Sequence, residues 1–317
     1  MSPSVLILAL SVGVLVLLLL WLGCYAYKKT FYNDPKKRPA DPYRHVKDAG
    51  SDKEDAARRI IDEMIARPYE NVYTASHDGL KLRGRLYMQD ESAPFVIGMH
   101  GYRSTPMLDF SGGAPLSINF GLNVILPDQR ACGESEGKVI SFGYNESIDA
   151  LSWIEYVRER WGEDRKIVLV GVSLGASTVI MAAGRGVPEN VKGVIADCPY
   201  SSAKSIIMKV MRKKGVPARL VYPLLRITAR IFGGFDPSKA EVYEYAAKTK
   251  IPIAIIHGEA DDFVPVHMSQ KICGSAPDAQ LHTFEGATHV MSYLTDTERY
   301  KRITEEFLAK ILGNSEL

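Results

Sequence analysis

A serine framed by glycines, Gly171-Val172-Ser173-Leu174-Gly175, is the stretch of this sequence best suited to chemistry. Residues 166–170 before it are apolar and β-branched and read as a strand. Residues 177–184 after it read as a helix. A serine at the tip of a sharp strand-to-helix turn must adopt strained dihedrals, and small neighbours leave room for the close backbone approach. The helix behind it offers free N–H groups and the positive end of its dipole. Such a hydroxyl is placed to attack an acyl carbonyl as a covalent nucleophile. The plainer reading is that Ser173 only caps the helix. No Gly-rich phosphate loop and no His-Glu-x-x-His pair is present, and no cofactor is expected, because the serine supplies the nucleophile itself.

The elements that must hold this turn can be read around it. Residues 94–100, 122–128, 166–172, 191–197, 251–258 and 279–286 are apolar runs of strand length. They alternate with helical patterns at 144–161, 173–185 and near the C-terminus. Continuous apolar strands alternating with helices predict a mostly parallel sheet covered on both faces. Ahead of it, residues 71–76 and 80–88 flank His77-Asp78-Gly79 as a hairpin. Residues 52–67 predict an amphipathic helix with Ala56, Ile60, Ile61, Met64 and Ile65 on one face. Residues 201–247 interrupt the alternation with helical, basic and apolar sequence, which predicts an inserted lid or a structural cap. Ile206, Ile207, Met208, Leu220, Tyr222, Leu224 and Leu225 are its candidates for an acyl pocket, and Lys209, Arg212, Lys213, Lys214 and Arg219 for a face toward water or anionic headgroups.

From Asn71 to Leu312 the sequence resembles the α/β-hydrolase superfamily. Met99-His100-Gly101-Tyr102 matches its oxyanion loop. Asp128-Gln129-Arg130-Ala131-Cys132-Gly133-Glu134-Ser135 matches its Asp-x-Arg-Gly-x-Gly-x-Ser turn, with Ala131 in place of a glycine. Residues 257–265 match the acid loop and Gly286-Ala287-Thr288-His289 the histidine loop, in the chain order Ser, Asp, His. More narrowly, the chain is similar to membrane-anchored serine hydrolases of bacteria, grouped with esterases, thioesterases and prolyl-oligopeptidase-like peptidases. The resemblance implies Ser173 as nucleophile, His289 as base and acid, Asp261 as the group that orients His289, and the backbone N–H groups of Tyr102 and Leu174 as oxyanion hole. Asp197 and Asp262 are rival acids, and His45, His77, His100, His257, His267 and His282 rival bases. The implied activity is hydrolysis of a carboxylic ester or thioester on a small or lipid-like acyl substrate. A peptidase and a non-catalytic binding protein of the same fold are the alternatives, although a propeller-bearing peptidase would need more sequence ahead of the hydrolase part.

Residues 5–27 are uncharged and long enough to cross a bilayer core of about 30 Å. Trp21, Tyr25 and Tyr27 gather at one end, as aromatic side chains do at headgroup level. An uncleaved anchor over 1–27 is the first reading. A signal peptide or a lipoprotein signal would require a basic start and a clean small-residue cleavage site, which are missing. Lys28, Lys29, Lys36, Lys37 and Arg38 follow the run, and such positive charge places the larger part in the cytoplasm. The expected organisation is anchor 1–27, polar linker and amphipathic helix 28–70, and hydrolase domain 71–317 with the insertion 201–247. A balance of 39 Lys and Arg against 37 Asp and Glu gives +2, too even for a nucleic-acid binder. Cys24, Cys132, Cys198 and Cys273 have no metal or disulfide spacing and read as reduced or buried thiols.

Overall fold

The computed structural model describes residues 2–38, 41, 43 and 53–313. His45 and most of the expected linker between residues 39 and 52 lie outside the described residues. Eight strands form one sheet: β1 Glu70–Ala75, β2 Lys81–Tyr87, β3 Phe95–Met99, β4 Asn123–Pro127, β5 Ile167–Val172, β6 Val191–Asp197, β7 Ile253–Gly258 and β8 Ala279–Phe284. Their order is β1-β2-β4-β3-β5-β6-β7-β8. β2 pairs antiparallel with β1 and β4, and every pairing from β4 onward is parallel. The apolar runs buried on both faces become the parallel part, as that sequence pattern requires.

Twelve helices accompany the sheet: α1 Pro3–Thr30, α2 Glu54–Ala66, α3 Pro106–Asp109, α4 Gly113–Asn119, α5 Glu146–Trp161, α6 Leu174–Gly184, α7 Ala203–Lys213, α8 Ala218–Gly233, α9 Val242–Ala246, α10 His267–Cys273, α11 Ser292–Thr295 and α12 Thr297–Leu312. Side chains alternate across each strand. Phe95, Ile97 and Met99 of β3 therefore join a core with α5 to α10, while Val96 joins a second core with α3, α4 and α12. α6 lies deepest, with every residue from Leu174 to Ala183 buried. α2 forms where expected but buries Ala57, Ile61 and Met64, so the face is rotated from the expected one and Ile65 is exposed.

α1 is 28 residues long, about 42 Å at helical rise. It is long and apolar enough to cross a membrane, a test that an N-terminal signal sequence also passes. It runs to Thr30, past the expected boundary at residue 27. Its two ends differ. Residues 5–20 are exposed, whereas Gly23, Ala26, Tyr27 and then Phe31 are buried against α8. Thr228 donates to the Gly23 carbonyl at 3.2 Å, and the Tyr27 and Phe31 rings lie 5.8 and 5.1 Å from those of Phe232 and Phe235. Residues 31–38, expected as linker, are held to the loop after β4. Asn33 donates to the Ala131 carbonyl at 2.8 Å, and Arg38 to those of Gly133, Ser135 and Gly137 at 2.9, 2.6 and 2.6 Å.

The insertion expected over 201–247 contains α7, α8 and α9. α7 reaches the loop after β7, where Lys213 pairs with the Asp262 carboxylate at 2.8 Å and Lys209 donates to the Phe263 carbonyl at 3.0 Å. These lysines tie α7 to that loop while remaining exposed to water. Leu220, expected in an acyl pocket, is 73% exposed, and Ile227, Ile231 and Phe232 are exposed with it. Ile206, Ile207, Tyr222 and Leu225 turn inward.

Candidate active site

Ser173 sits between β5 and α6 with φ 54° and ψ −110°, and its side chain makes no capping bond to the helix. The plain N-cap reading is therefore not what the residue does. Its N–H donates to the Asp197 carbonyl at 2.8 Å, which ties the turn to the end of β6. A non-glycine residue at positive φ is uncommon and is held only when its surroundings over-determine it. The glycines explain how. A Cβ on Gly175 would stand 1.7 Å from the Met99 carbonyl oxygen, and one on Gly171 would stand 2.3 Å from that of Gly175. Any side chain at either position would push α6 off the strand ends and relax the turn.

The loops after β7 and β8 bring two groups to this hydroxyl. Ser173 donates to His289 Nε2 at 3.0 Å, and His289 Nδ1–H donates to Asp261 Oδ2 at 2.6 Å. The other Asp261 oxygen accepts the N–H groups of Phe263 and Val264 at 2.9 and 2.7 Å. Burial alone would raise the Asp261 carboxyl, but His257, His289 and these amides hold it well below the usual carboxylate range. The Phe263 ring covers one side of the imidazole, with centroids 5.0 Å apart. Ser173 is 8% exposed, so the chemistry would run in a largely dry setting.

The rival acids separate by position. Asp197 ends β6, is buried, and accepts from the Tyr300 hydroxyl at 3.2 Å with one oxygen while the other has no partner. Burial pushes its carboxyl up to about 6, against the pull of His257 and the Tyr300 bond. Asp262 points outward to Lys213. The rival histidines have other partners. His100 is buried, with Nδ1–H donating to Gly101 O at 2.8 Å and Nε2 accepting from the Gln129 N–H at 3.0 Å. His257 bonds the Val264 carbonyl and Ser269 Oγ at 2.7 and 2.6 Å, and its Nε2 is 3.4 Å from Asp261 Oδ2. His282 is in β8, His267 opens α10 and His77 lies beside Asp78.

The expected oxyanion donors flank the serine. Leu174 is the first residue of α6, so its N–H has no acceptor within the helix. A Cβ on Gly101, next to Tyr102, would stand 3.6 Å from the Ser173 Cβ. Asp109 holds this turn. It accepts from the Gly101 N–H at 2.5 Å and from the Ser104 hydroxyl at 2.7 Å. Asp109 lies only eight residues after Gly101, but no motif in the sequence marks it as the brace of this turn. Tyr300, which donates to Asp197 from α12, carries no sign of that role in the sequence, whereas His257 at a His-Gly strand end is expected to be structural by the family resemblance.

Cys198 Sγ, Asp261 and His289 have ligand atoms within 4.8 Å of one another. Burial raises the Cys198 thiol well above its ordinary range, and burial pushes Cys132 up to about 12, so both favour the neutral thiol. With Asp261 already bonded to His289, this donor set serves a proton relay better than a cation. In the family turn after β4, Ala131 takes φ 62° where the pattern has glycine. Arg130 there pairs with Asp149 at 2.6 Å and Asp78 at 3.0 Å, a supporting network away from Ser173.

Residues 108–220 match the alpha/beta hydrolase fold family. The chain has the α/β-hydrolase fold. This α/β hydrolase is 24% identical over 311 residues to the uncharacterized protein YqkD of Bacillus subtilis, covering 97% of this chain and 98% of that one. It is 31% identical over 145 residues to the thiohydrolase aneE of Aspergillus aculeatus, 43% of each chain. In fold it is similar to the Pyrococcus furiosus esterase Pf2001, with TM-score 0.61 and 24% identity, covering 79% of this chain and 94% of that one.

Proposed function

We propose that this α/β hydrolase is a serine hydrolase that cleaves a carboxylic ester or thioester through an acyl-enzyme. The observation that carries the reading is the hydrogen-bond relay Ser173–His289–Asp261, built on a serine at φ 54°. Ser173 Oγ attacks the acyl carbon while its proton moves to His289 Nε2. The tetrahedral oxyanion takes the N–H groups of Tyr102 and Leu174, each worth about 10² to 10³ in turnover by analogy with other oxyanion donors. The leaving alcohol or thiol departs with the proton from His289. Water then attacks the acyl-enzyme with His289 as base. Asp261 fixes the tautomer and stabilises the imidazolium without being protonated. The thiohydrolase similarity supports including thioesters.

The chain is further proposed to be anchored by α1, with residues 71–317 as catalytic domain, the insertion 201–247 as lid, and the domain on the cytoplasmic side. Lys28, Lys29, Lys36, Lys37 and Arg38 after the apolar run support that side. Apolar residues exposed on α8 support a lipophilic acyl group. A fluorophosphonate probe tests the chemistry. Wild type should be labelled and Ser173→Ala spared, and a chain-length series of acyl esters and thioesters then ranks substrates. Equal labelling of both proteins would refute the reading.

A further inference from the structure

The last turn of α1, the short turn Pro35–Lys37 and the loop after β3 enclose a cleft of about 810 Å³. Its walls carry Tyr25, Lys28, Lys29, Tyr32, Lys37 and Arg103. Asp34 is the one carboxylate there, and it already accepts the Lys36 N–H at 3.0 Å. Lys28, Lys29 and Lys37 are exposed, and none of them has a carboxylate partner among the described residues. Lysines at the end of a helix are commonly balanced by its free carbonyls. Here those carbonyls are taken. Arg103 donates to Lys29 O and Tyr32 O at 3.2 and 2.7 Å, and the Tyr102 hydroxyl donates to Thr30 O at 2.8 Å. Positive charge is thus gathered in a concave site where, among the described lining residues, Asp34 is the single carboxylate against four basic side chains.

The cleft also sits at a defined height. The Trp21 and Tyr25 rings stack 5.8 Å apart at the end of the apolar run, where aromatic belts mark the interface. Lys28 lies about 5–10 Å further along the axis at about 1.5 Å per residue, which is the depth of lipid phosphates. Beside it, α8 turns Leu220, Ile227, Ile231 and Phe232 outward, so an apolar face adjoins the basic cleft, as on interfacial helices.

We propose that this cleft binds the phosphate-bearing headgroup of an anionic phospholipid in the leaflet that α1 enters. The phosphate oxygens accept from the three lysine ammonium groups. Arg103 adds charge while it remains bonded to the α1 carbonyls. The inference rests on the reading of α1 as a bilayer anchor. A built cleft differs from a diffuse basic patch in that it keeps its lipid when the bilayer is removed.

The test reconstitutes the full chain in vesicles of equal phosphatidylcholine and phosphatidylglycerol, extracts it into mild detergent and counts retained lipid by native mass spectrometry. Phosphatidylglycerol should be retained at least about tenfold over phosphatidylcholine, since each lysine adds attraction to an anionic lipid. The triple variant Lys28→Gln, Lys29→Gln, Lys37→Gln should bring the ratio to parity, and the corresponding Lys→Arg triple variant should keep the enrichment. Parity in wild type, or enrichment that survives the glutamine variant, overturns the proposal. So does loss of the lipid to excess inorganic phosphate, which would mark the site as one for soluble anions. An alkaline carbonate wash of the same vesicles separates the causes: if the chain washes off, the anchor reading has failed, and if it stays without enrichment, only the cleft has.

Discussion

Two neighbouring strand ends carry the same side chain shifted in opposite directions. At the end of β6, buried Asp197 has one hydroxyl donor and one oxygen without a partner, and burial wins, pushing it up to about 6. After β7, Asp261 is as little exposed but less deeply packed, and it receives two backbone amides and two imidazoles, which hold it low. A carboxylate can brace a base only if it stays ionised through the neutral range. The difference lies in donors together with depth, since Asp197 is packed more deeply.

The sharpest way to break this contrast is at the acid itself. Asp261→Asn is expected to lower kcat by about 10⁴, as in the serine-protease case, with Asp197→Asn costing less than about tenfold. Steady-state turnover of a short ester decides it, and a reversal would move the acid to β6.

The next effect is on stability. The Asp197 carboxyl is raised from 3.8 to about 6 by burial. Its neutral form is the one that the fold favours, so its contribution is full below about pH 4 and is lost as pH rises through about 6. Asp197→Asn removes that loss. Its melting temperature relative to wild type should therefore rise by about 3–6 °C between pH 4 and pH 8. A gap that does not change with pH would show that Asp197 is ionised in the fold at no cost.

Smaller still is Tyr300→Phe, which deletes the donor to Asp197. It should cost about 1–2 kcal/mol at pH 8 and less at pH 4, measured by urea unfolding, with turnover kept within about threefold. Asp262→Asn should change turnover least, within about twofold, because the Lys213 pair is solvent-exposed.

The site was more legible than its supports because its signals are local. A strand, a glycine-framed serine and a helix are contiguous in sequence, and the loops bearing Asp261 and His289 each follow a readable apolar run. Tyr300 carries no such signal, since it acts on Asp197, which only the fold brings near, and Asp109 sits close to its partners in sequence but in no readable motif. α8 misled for another reason. It is apolar on two sides, so Leu220 and Leu225 look alike in sequence, while one is exposed and the other buried. The same ambiguity hid the end of α1, because an exposed apolar residue and one facing α8 satisfy the same pattern.

That end of α1 places the border between exposed turns and the folded body inside a helix instead of a loop. Residues 22–31 belong to the folded body, while the turns before them do not touch it. Trimming the chain after residue 27, the natural cut by hydropathy, would strip Gly23, Ala26 and Tyr27 from the seam and leave Thr228 and Phe232 facing water. A cut between Trp21 and Leu22 keeps the seam closed. For protein engineering, the helix is a peg whose lower third is already part of the joinery.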